Sequence, residues 1–421
     1  MERLLHYVWK YRLYSSRLNI IDGNEISVID PGIPNSDAGP DFFNAKIKDG
    51  DTVWAGSIEI HTKASDWMRH GHDKDKAYDT VILHIVEEND MPICRSNGEV
   101  IPQLVLPVPE HIRKNIRQLL LSERVLPCAS VINGTDAFLL SSWLNVLTSE
   151  RLERKTQDIF TLLEQNESDW NEVFYILLTR NFGFGLNSDA FQQLACGLPL
   201  RYIQKHRHSI SQVEALLFGQ AGMLEEEHGD EYYRLLRREY RFLAHKFDLT
   251  PLDTTLFRSL RTRPVSFPHV KLAQLAVLWF THDTLFSQLL EANTLNEIRA
   301  FFRVQPSDYW LTHYNFRHLS ASKPKLIGEN AINILIINTV ASLFFAYGKK
   351  KNKQEYCERA IQILERIPAE QNSICRLFQQ AGIQPRNAAD SQAVIQLKRE
   401  YCEKKKCMYC RIGYYYLKRK S

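Results

Sequence analysis

From Asn24 to about Pro107, apolar and polar residues alternate with a period near two. Segments 25–29 (EISVI), 42–47 (FFNAKI), 52–61 (TVWAGSIEIH), 78–86 (YDTVILHIV) and 99–106 (EVIPQLVL) fit strands. Turn-rich pieces separate them: 30–41 (DPGIPNSDAGPD), 48–51 (KDGD) and 87–92 (EENDMP). KDGD is a short hairpin connection, so 42–47 and 52–61 are expected to pair antiparallel. Two helices frame these strands. Residues 2–14 set Leu4, Leu5, Val8, Tyr11 and Tyr14 on one helical stripe. Residues 64–70 (ASDWMRH) fit a short helix with Ser65 as its cap.

After about Pro109 the period lengthens to about 3.6. Segments 136–165, 169–183, 211–224, 231–247, 270–292 and 353–367 carry amphipathic helical patterns. No fixed repeat of roughly 30–45 residues is visible, which argues against a solenoid. The most apolar run, 332–348 (INILIINTVASLFFAYG), is barely long enough to span a bilayer and contains Asn333 and Asn338. It reads as a buried helix, and no membrane partner is expected. The charged run YRLLRREYRFLAHK reads as a solvated helix face, with a phosphate-contacting surface as the alternative. The expected class is α+β, a mixed sheet flanked by helices and then a mostly helical domain. The expected boundaries are 1–108, 109–370, and a C-terminal segment 371–421 that carries a cysteine cluster.

Composition adds limits. Of 421 residues, 44% are hydrophobic and 24% charged, so an ordinary core forms without a disulfide scaffold. The net charge of +4 permits a nucleic-acid partner without arguing for one. Glu2, Arg3, Lys10 and Arg12 interrupt the apolar N-terminus, which is unlike a secretory signal. Eight cysteines, scattered except near the end, suit a reducing cytoplasm.

The densest chemistry lies in 54–86, with four histidines. Residues two apart on a strand face one side, so Glu59 and His61 point together. A hairpin closed by KDGD brings Asp41, at the start of one strand, beside the end of the other. Two carboxylates and a nitrogen ligand on one face suit a hard divalent cation, which removes their repulsion. The alternative makes Asp41 a turn residue and Glu59 a solvated one. In RHGHDKD, His70, His72, Asp73 and Asp75 read as a substrate-facing loop, with an independent metal site as the alternative, since the spacing departs from the metallo-β-lactamase ligand set. His84, within VILHIV, reads as a hydrogen-bonded core residue or as a catalytic-face partner of His61.

The order helix, three strands, helix, strand, with Asp in GPDF (39–42) and Glu in EIH (59–61), resembles the PD-(D/E)XK nuclease fold. In that family the acidic pair holds magnesium and a lysine helps position or deprotonate water. Here His61 stands where the family has Lys, and Glu2 matches an extra helix-borne acid. The resemblance implies Asp41, Glu59, His61 and Glu2 as catalytic residues, with His70, His72, Asp75 and His84 in support. It implies phosphodiester hydrolysis in DNA or RNA. A degenerate, non-catalytic core that binds nucleic acid or acts as a scaffold is the alternative.

Near the end, Cys402, Cys407 and Cys410 follow a C-x4-C-x2-C spacing. Closely spaced thiolates chelate zinc or an iron–sulfur cluster once a fourth ligand joins them. Cys128, Cys375 or a histidine is the fourth, or the three are simply reduced cysteines in a turn. Some PD-(D/E)XK nucleases carry an iron–sulfur cluster, which is an analogy only. The flanking Lys404–Lys406, Arg411, Lys418, Arg419 and Lys420, with Tyr409 and Tyr414–Tyr416, suit a nucleic-acid backbone or a solvated tail.

The whole chain also resembles a bacterial family known as domain of unknown function 2851. DAGPDFFNAKI, WAGSIEIH, SDWMRHGHDKDKAYDTVILHIV, FGFGLN, EALLFGQAGML, RPVSFP and the terminal cysteines carry that resemblance, which implies no activity. FGFGLN (182–187) and LFGQAGML (217–224) lack the ending of a phosphate-binding P-loop and read as breaks between helices. RTRPVSFPH (261–269) reads as a packed loop or helix start.

Overall fold

The computed structural model describes residues 2–14, 18–35, 37–227, 229–260 and 262–419. Arg261 and Lys420 lie outside the described residues. Packing divides the chain into two units. The first comprises 1–140, 381–383 and 398–421; the second comprises 141–380 and 384–397. The first is built on a mixed sheet and the second on helices, as the two periods predict.

The first unit holds α1 (Glu2–Lys10), β1 (Leu18–Asn19), β2 (Glu25–Asp30), β3 (Ile33–Pro34), β4 (Phe42–Asp49), β5 (Thr52–Lys63) and α2 (Asp66–Arg69). It continues with β6 (Val81–Glu88), β7 (Gln103–Val105), α3 (Glu110–Leu121), α4 (Ala129–Ile132) and a C-terminal helix, Arg411–Lys418. Strand order is β1-β2-β4-β5-β6-β7, with β3 also beside β4. β4 and β5 pair antiparallel, as expected from KDGD, whereas β5–β6 and β6–β7 are parallel.

Element ends differ from the sequence pattern for local reasons. α1 stops at Lys10, and Arg12 takes a left-handed φ of 50°, a common way to end a helix. Residues 76–80 form a tight turn capped by Asp75, so β6 begins only at Val81. Pro102 has no N–H for a ladder, and β7 is confined to three residues. Ser65 does not cap α2. Its hydroxyl donates to Asp90 Oδ2 at 2.6 Å instead.

One sheet face packs Leu5, Val8 and Trp9 of α1 with Phe42, Ile58, Ile60, Leu83 and Ile85. Each such side chain contributes roughly 1.5–3 kcal/mol on full burial. The other face has a smaller cluster around Trp67, Val81, Val86, Ile93 and Ile101. The central parallel pair is thus covered on both sides, the usual setting for parallel strands.

In the second unit, helices between residues 152 and 389 share one large apolar cluster that includes Phe174, Phe218, Trp279 and Phe344. The apolar run forms a helical stretch, Glu329–Lys351, long and apolar enough to cross a membrane yet mostly buried within the fold. The charged run is helix Glu231–Phe247, whose Tyr233, Leu236, Tyr240 and Leu243 are buried and whose Arg234, Arg238 and Arg241 are exposed. Pro268 of RPVSFP opens helix Pro268–Thr281, and His269 beside it packs against Phe218 and Phe316.

Asn115 clamps the end of the C-terminal helix to α3. The buried Asn115 amide donates to the carbonyls of Tyr416, Leu417 and Arg419 at 3.1, 3.1 and 2.9 Å. Asn115→Ala leaves these acceptors without that donor and is expected to cost roughly 1–3 kcal/mol. Urea-unfolding midpoints of the two proteins measure it; equal midpoints would remove Asn115 from this role.

Candidate metal centre

The site is assembled on the polar face of β5. β4 carries one extra residue between Phe42 and Ala45, where Asn44 has a φ of 56°. Beyond this bulge Phe42 pairs with Ile58, and the same register places Asp41 opposite Glu59. Without the extra residue, Asp41 would face Ile60 and the apolar core, since a one-residue slip exchanges faces. Asp41 and Glu59 are locked reciprocally. The Asp41 N–H donates to Glu59 Oε2 at 3.0 Å, and the Ile60 N–H donates to Asp41 Oδ2 at 2.9 Å.

β6 runs parallel to β5 with His84 beside Glu59. His84 is fully buried, and its Nε2 lies 2.9 Å from His61 Nδ1. α2 and the turn after it bring two more imidazoles. Gly71, between His70 and His72, has a φ of 75°, a conformation that glycine adopts at little cost. His70 Nδ1 reaches His61 Nε2 at 3.1 Å. His72 stacks on Tyr78, ring centroids 3.7 Å apart, and packs edge-on against the buried Trp67.

Ligand atoms of His61, His70 and His72 lie within 4.8 Å of one another. Glu59 Oε1 stands 3.5 Å from His61 Nε2 and 3.4 Å from His72 Nε2. From α1, His6 Nε2 approaches Asp41 Oδ2 at 3.4 Å. His61 is 2% exposed and Glu59 5%, whereas His70 is solvent-exposed, so the cluster opens outward through His70.

Burial dominates the electrostatics. It raises the Glu59 carboxyl to about 8, assisted by Asp41, and raises Asp41 to about 6. It lowers His61 to about 2 and His84 to about 3, helped by neighbouring imidazoles, and lowers His72 and His6 as well. Burial therefore favours the neutral imidazole at His61, His72 and His84. His84 supports His61 as an outer partner: if His61 Nδ1–H donates to His84, His61 Nε2 keeps a lone pair facing Glu59.

The expected residues separate into groups. Asp41, Glu59, His61, His70, His72 and His84 come together. Glu2 lies exposed on α1 and acts on the site only through its charge, raising His6 and Glu59. Asp75 accepts from the Ala77 N–H at 2.9 Å as a turn cap. His6, Trp67 and Tyr78 were missed. His6 sits four residues after Glu2, on the same helical face, which was the available signal. Cys128 lies with Cys402, Cys407 and Cys410 around one cavity in the first unit. Cys375 is in helix Ser373–Gln380 of the second unit. Of the terminal tyrosines, Tyr414 packs on Tyr11 and Tyr416 donates to Gln118, while Tyr409 is exposed.

A family model described as a protein of unknown function, DUF2851, matches residues 2–373. The chain belongs to the DUF2851 family. The matched DUF2851 region contains every residue of the imidazole–carboxylate cluster and Cys128, and ends before Cys402. No curated protein and no solved structure matches the chain.

The raised Glu59 carboxyl makes a prediction about pH. Between about 4.5 and about 8 the folded protein holds a proton on Glu59 that the unfolded chain releases. Stability must therefore fall as pH rises through that window. The depressed His61 and His84 act oppositely, losing stability as pH falls below about 6.5. Above that point Glu59 acts without them, at most roughly 1.4 kcal/mol per pH unit. In chelator-treated protein, Glu59→Gln should flatten the fall in urea midpoint between pH 6.5 and 8 relative to wild type. Parallel pH profiles would contradict the assignment.

Proposed function

We propose that this protein is a metal-dependent phosphodiesterase of the PD-(D/E)XK nuclease type, acting on nucleic acid in the cytoplasm. The observation that carries the reading is the buried Glu59 carboxylate beside three imidazoles whose ligand atoms lie within 4.8 Å. This donor set differs from the two-carboxylate magnesium site expected from the strands alone. Imidazole nitrogens favour Mn, Fe or Zn over Mg. The reading assigns Glu59, His61, His70 and His72 to hold the cation.

A bound cation supplies Lewis-acid polarisation of the phosphodiester and a lowered pKa for the attacking water. The protein supplies the rest. His61 suits a ligand better than the base expected for the lysine position, because His84 engages its Nδ1 at 2.9 Å and leaves Nε2 within the imidazole group. Asp41, 26% exposed at its side chain and raised to about 6, is better placed to accept the water's proton. His6 beside it carries that proton toward solvent. Attack of the water oxygen forms a new bond to phosphorus and breaks the bond to the leaving oxygen, which takes a proton from solvent, so that a phosphate monoester and a free hydroxyl result.

A second reading is favoured by the near-complete burial of Glu59 and His61. There the core holds a metal structurally, and the protein binds nucleic acid or serves as a scaffold without cleaving. One experiment separates the two. Labelled single- and double-stranded DNA and RNA are incubated with the full chain in Mn, Mg or Zn. The nuclease reading expects Mn-supported cleavage that falls by roughly 100-fold or more in Asp41→Asn, and comparably in Glu59→Gln. Cleavage indifferent to both substitutions, or binding without cleavage under every metal, overturns it. Calorimetric titration of Mn or Zn into His84→Ala should show a roughly 10–100-fold weaker affinity. Unchanged affinity would mean that His84 does not support a ligand.

A further inference from the structure

The two ends of the first unit meet at sulfur. Cys128 precedes α4, and Cys402, Cys407 and Cys410 lie in the turns leading into the C-terminal helix. All four side chains, with Leu119 and Pro127, line one cavity of about 60 Å³. Cys128, Cys402 and Cys407 carry free thiols, partly shielded from solvent, and Cys410 is buried. Four cysteines from distant parts of a chain seldom converge without a reason, since burying thiols gains no more than burying small apolar groups.

The surrounding backbone is fixed tightly. The Lys406 N–H donates to the Tyr401 carbonyl at 2.8 Å, and Lys405 Nζ donates to the Leu120 carbonyl at 2.7 Å. A Cβ on Gly413 would stand 2.0 Å from the Cys407 carbonyl oxygen, so only glycine lets the helix approach the turn this closely. Together with the Asn115 clamp, these contacts hold the three C-terminal cysteines against the α3–α4 connection.

Four thiolates complete the ligand set of one zinc ion or of an iron–sulfur cluster. A single water needs roughly 10–15 Å³ of such space, so the cavity of about 60 Å³ among the thiols is larger than one ion fills. Four thiols spread around a central space suit a polynuclear centre better than a single ion.

We propose that Cys128, Cys402, Cys407 and Cys410 hold an iron–sulfur cluster that fastens the C-terminal segment to the α3–α4 connection. Each thiol loses its proton and binds iron as thiolate. Cys375 takes no part. The inference is independent of the phosphodiesterase reading.

The test uses the full chain, purified without oxygen from iron-supplied cells. Iron and acid-labile sulfide are expected in equal number, with Mössbauer parameters of sulfur-ligated tetrahedral iron in ⁵⁷Fe-labelled protein. Serine at each of the four positions should lose iron or alter the electron paramagnetic resonance of the reduced protein. Cys375→Ser and Cys94→Ser should match wild type. The wild-type measurements decide the matter even if a serine variant fails to fold. Stoichiometric zinc without sulfide overturns the proposal. So does wild-type protein that holds no cluster after reconstitution with ferrous iron and sulfide, or a Cys128→Ser protein with unaltered iron and spectrum.

Discussion

Glu59 Oε1 points at two imidazole nitrogens, His61 Nε2 at 3.5 Å and His72 Nε2 at 3.4 Å, in a place water hardly reaches. Acceptors that face each other under such burial must share something positive. A proton meets the need, which is why the Glu59 carboxyl rises while the imidazoles fall. Under the proposed reading a metal cation meets the same need by taking several lone pairs at once. The first unit is arranged around this requirement. Its sheet is buried on both faces, and the polar groups stand on the face covered by α2 and Trp67.

Backbone geometry delivers those groups. The bulge at Phe42–Ala45 turns Asp41 from the apolar side to the side of Glu59. The parallel register of β6 sets His84 behind His61. Gly71 turns the chain so that His70 and His72 both return to the strand. Bulges and left-handed turns recur beside functional sites because they re-aim side chains without dismantling the sheet. Relative to the two-carboxylate expectation, the result has more nitrogen and less oxygen. Under the proposed reading, that donor set suits a transition metal and gives the base role to Asp41 instead of His61.

The cysteine cavity belongs to the same unit but to a different problem. The C-terminal segment returns to α3 and is held there by one asparagine, by Lys405, and by a helix start that tolerates only glycine at residue 413. On the proposed reading, a metal centre adds a crosslink to these contacts and ties the segment to the α3–α4 connection.

Several features were legible in the sequence because they depend on local periodicity. The alternation gave the strands and the antiparallel KDGD hairpin. The longer period gave the helical half, and the stripe of Leu4, Leu5 and Val8 gave α1. Pairing of Glu59 with His61 on one face followed from the pleat, and nearness of Asp41 followed from the hairpin. What tertiary structure alone decided depends on contacts between segments far apart or on single-residue irregularities. The β4 bulge has no turn signature in FFNAK, yet it fixes the face of Asp41. His70 and His72 looked like a loop, because periodicity says nothing about where a turn folds back. His6 had no weight until α1 was laid beside β4. Cys128 could not be preferred to Cys375 by spacing, since residues 128 and 402 meet only once the chain has closed on itself. Sequence determined which surfaces must be buried; the closing of the chain decided which polar groups were buried together.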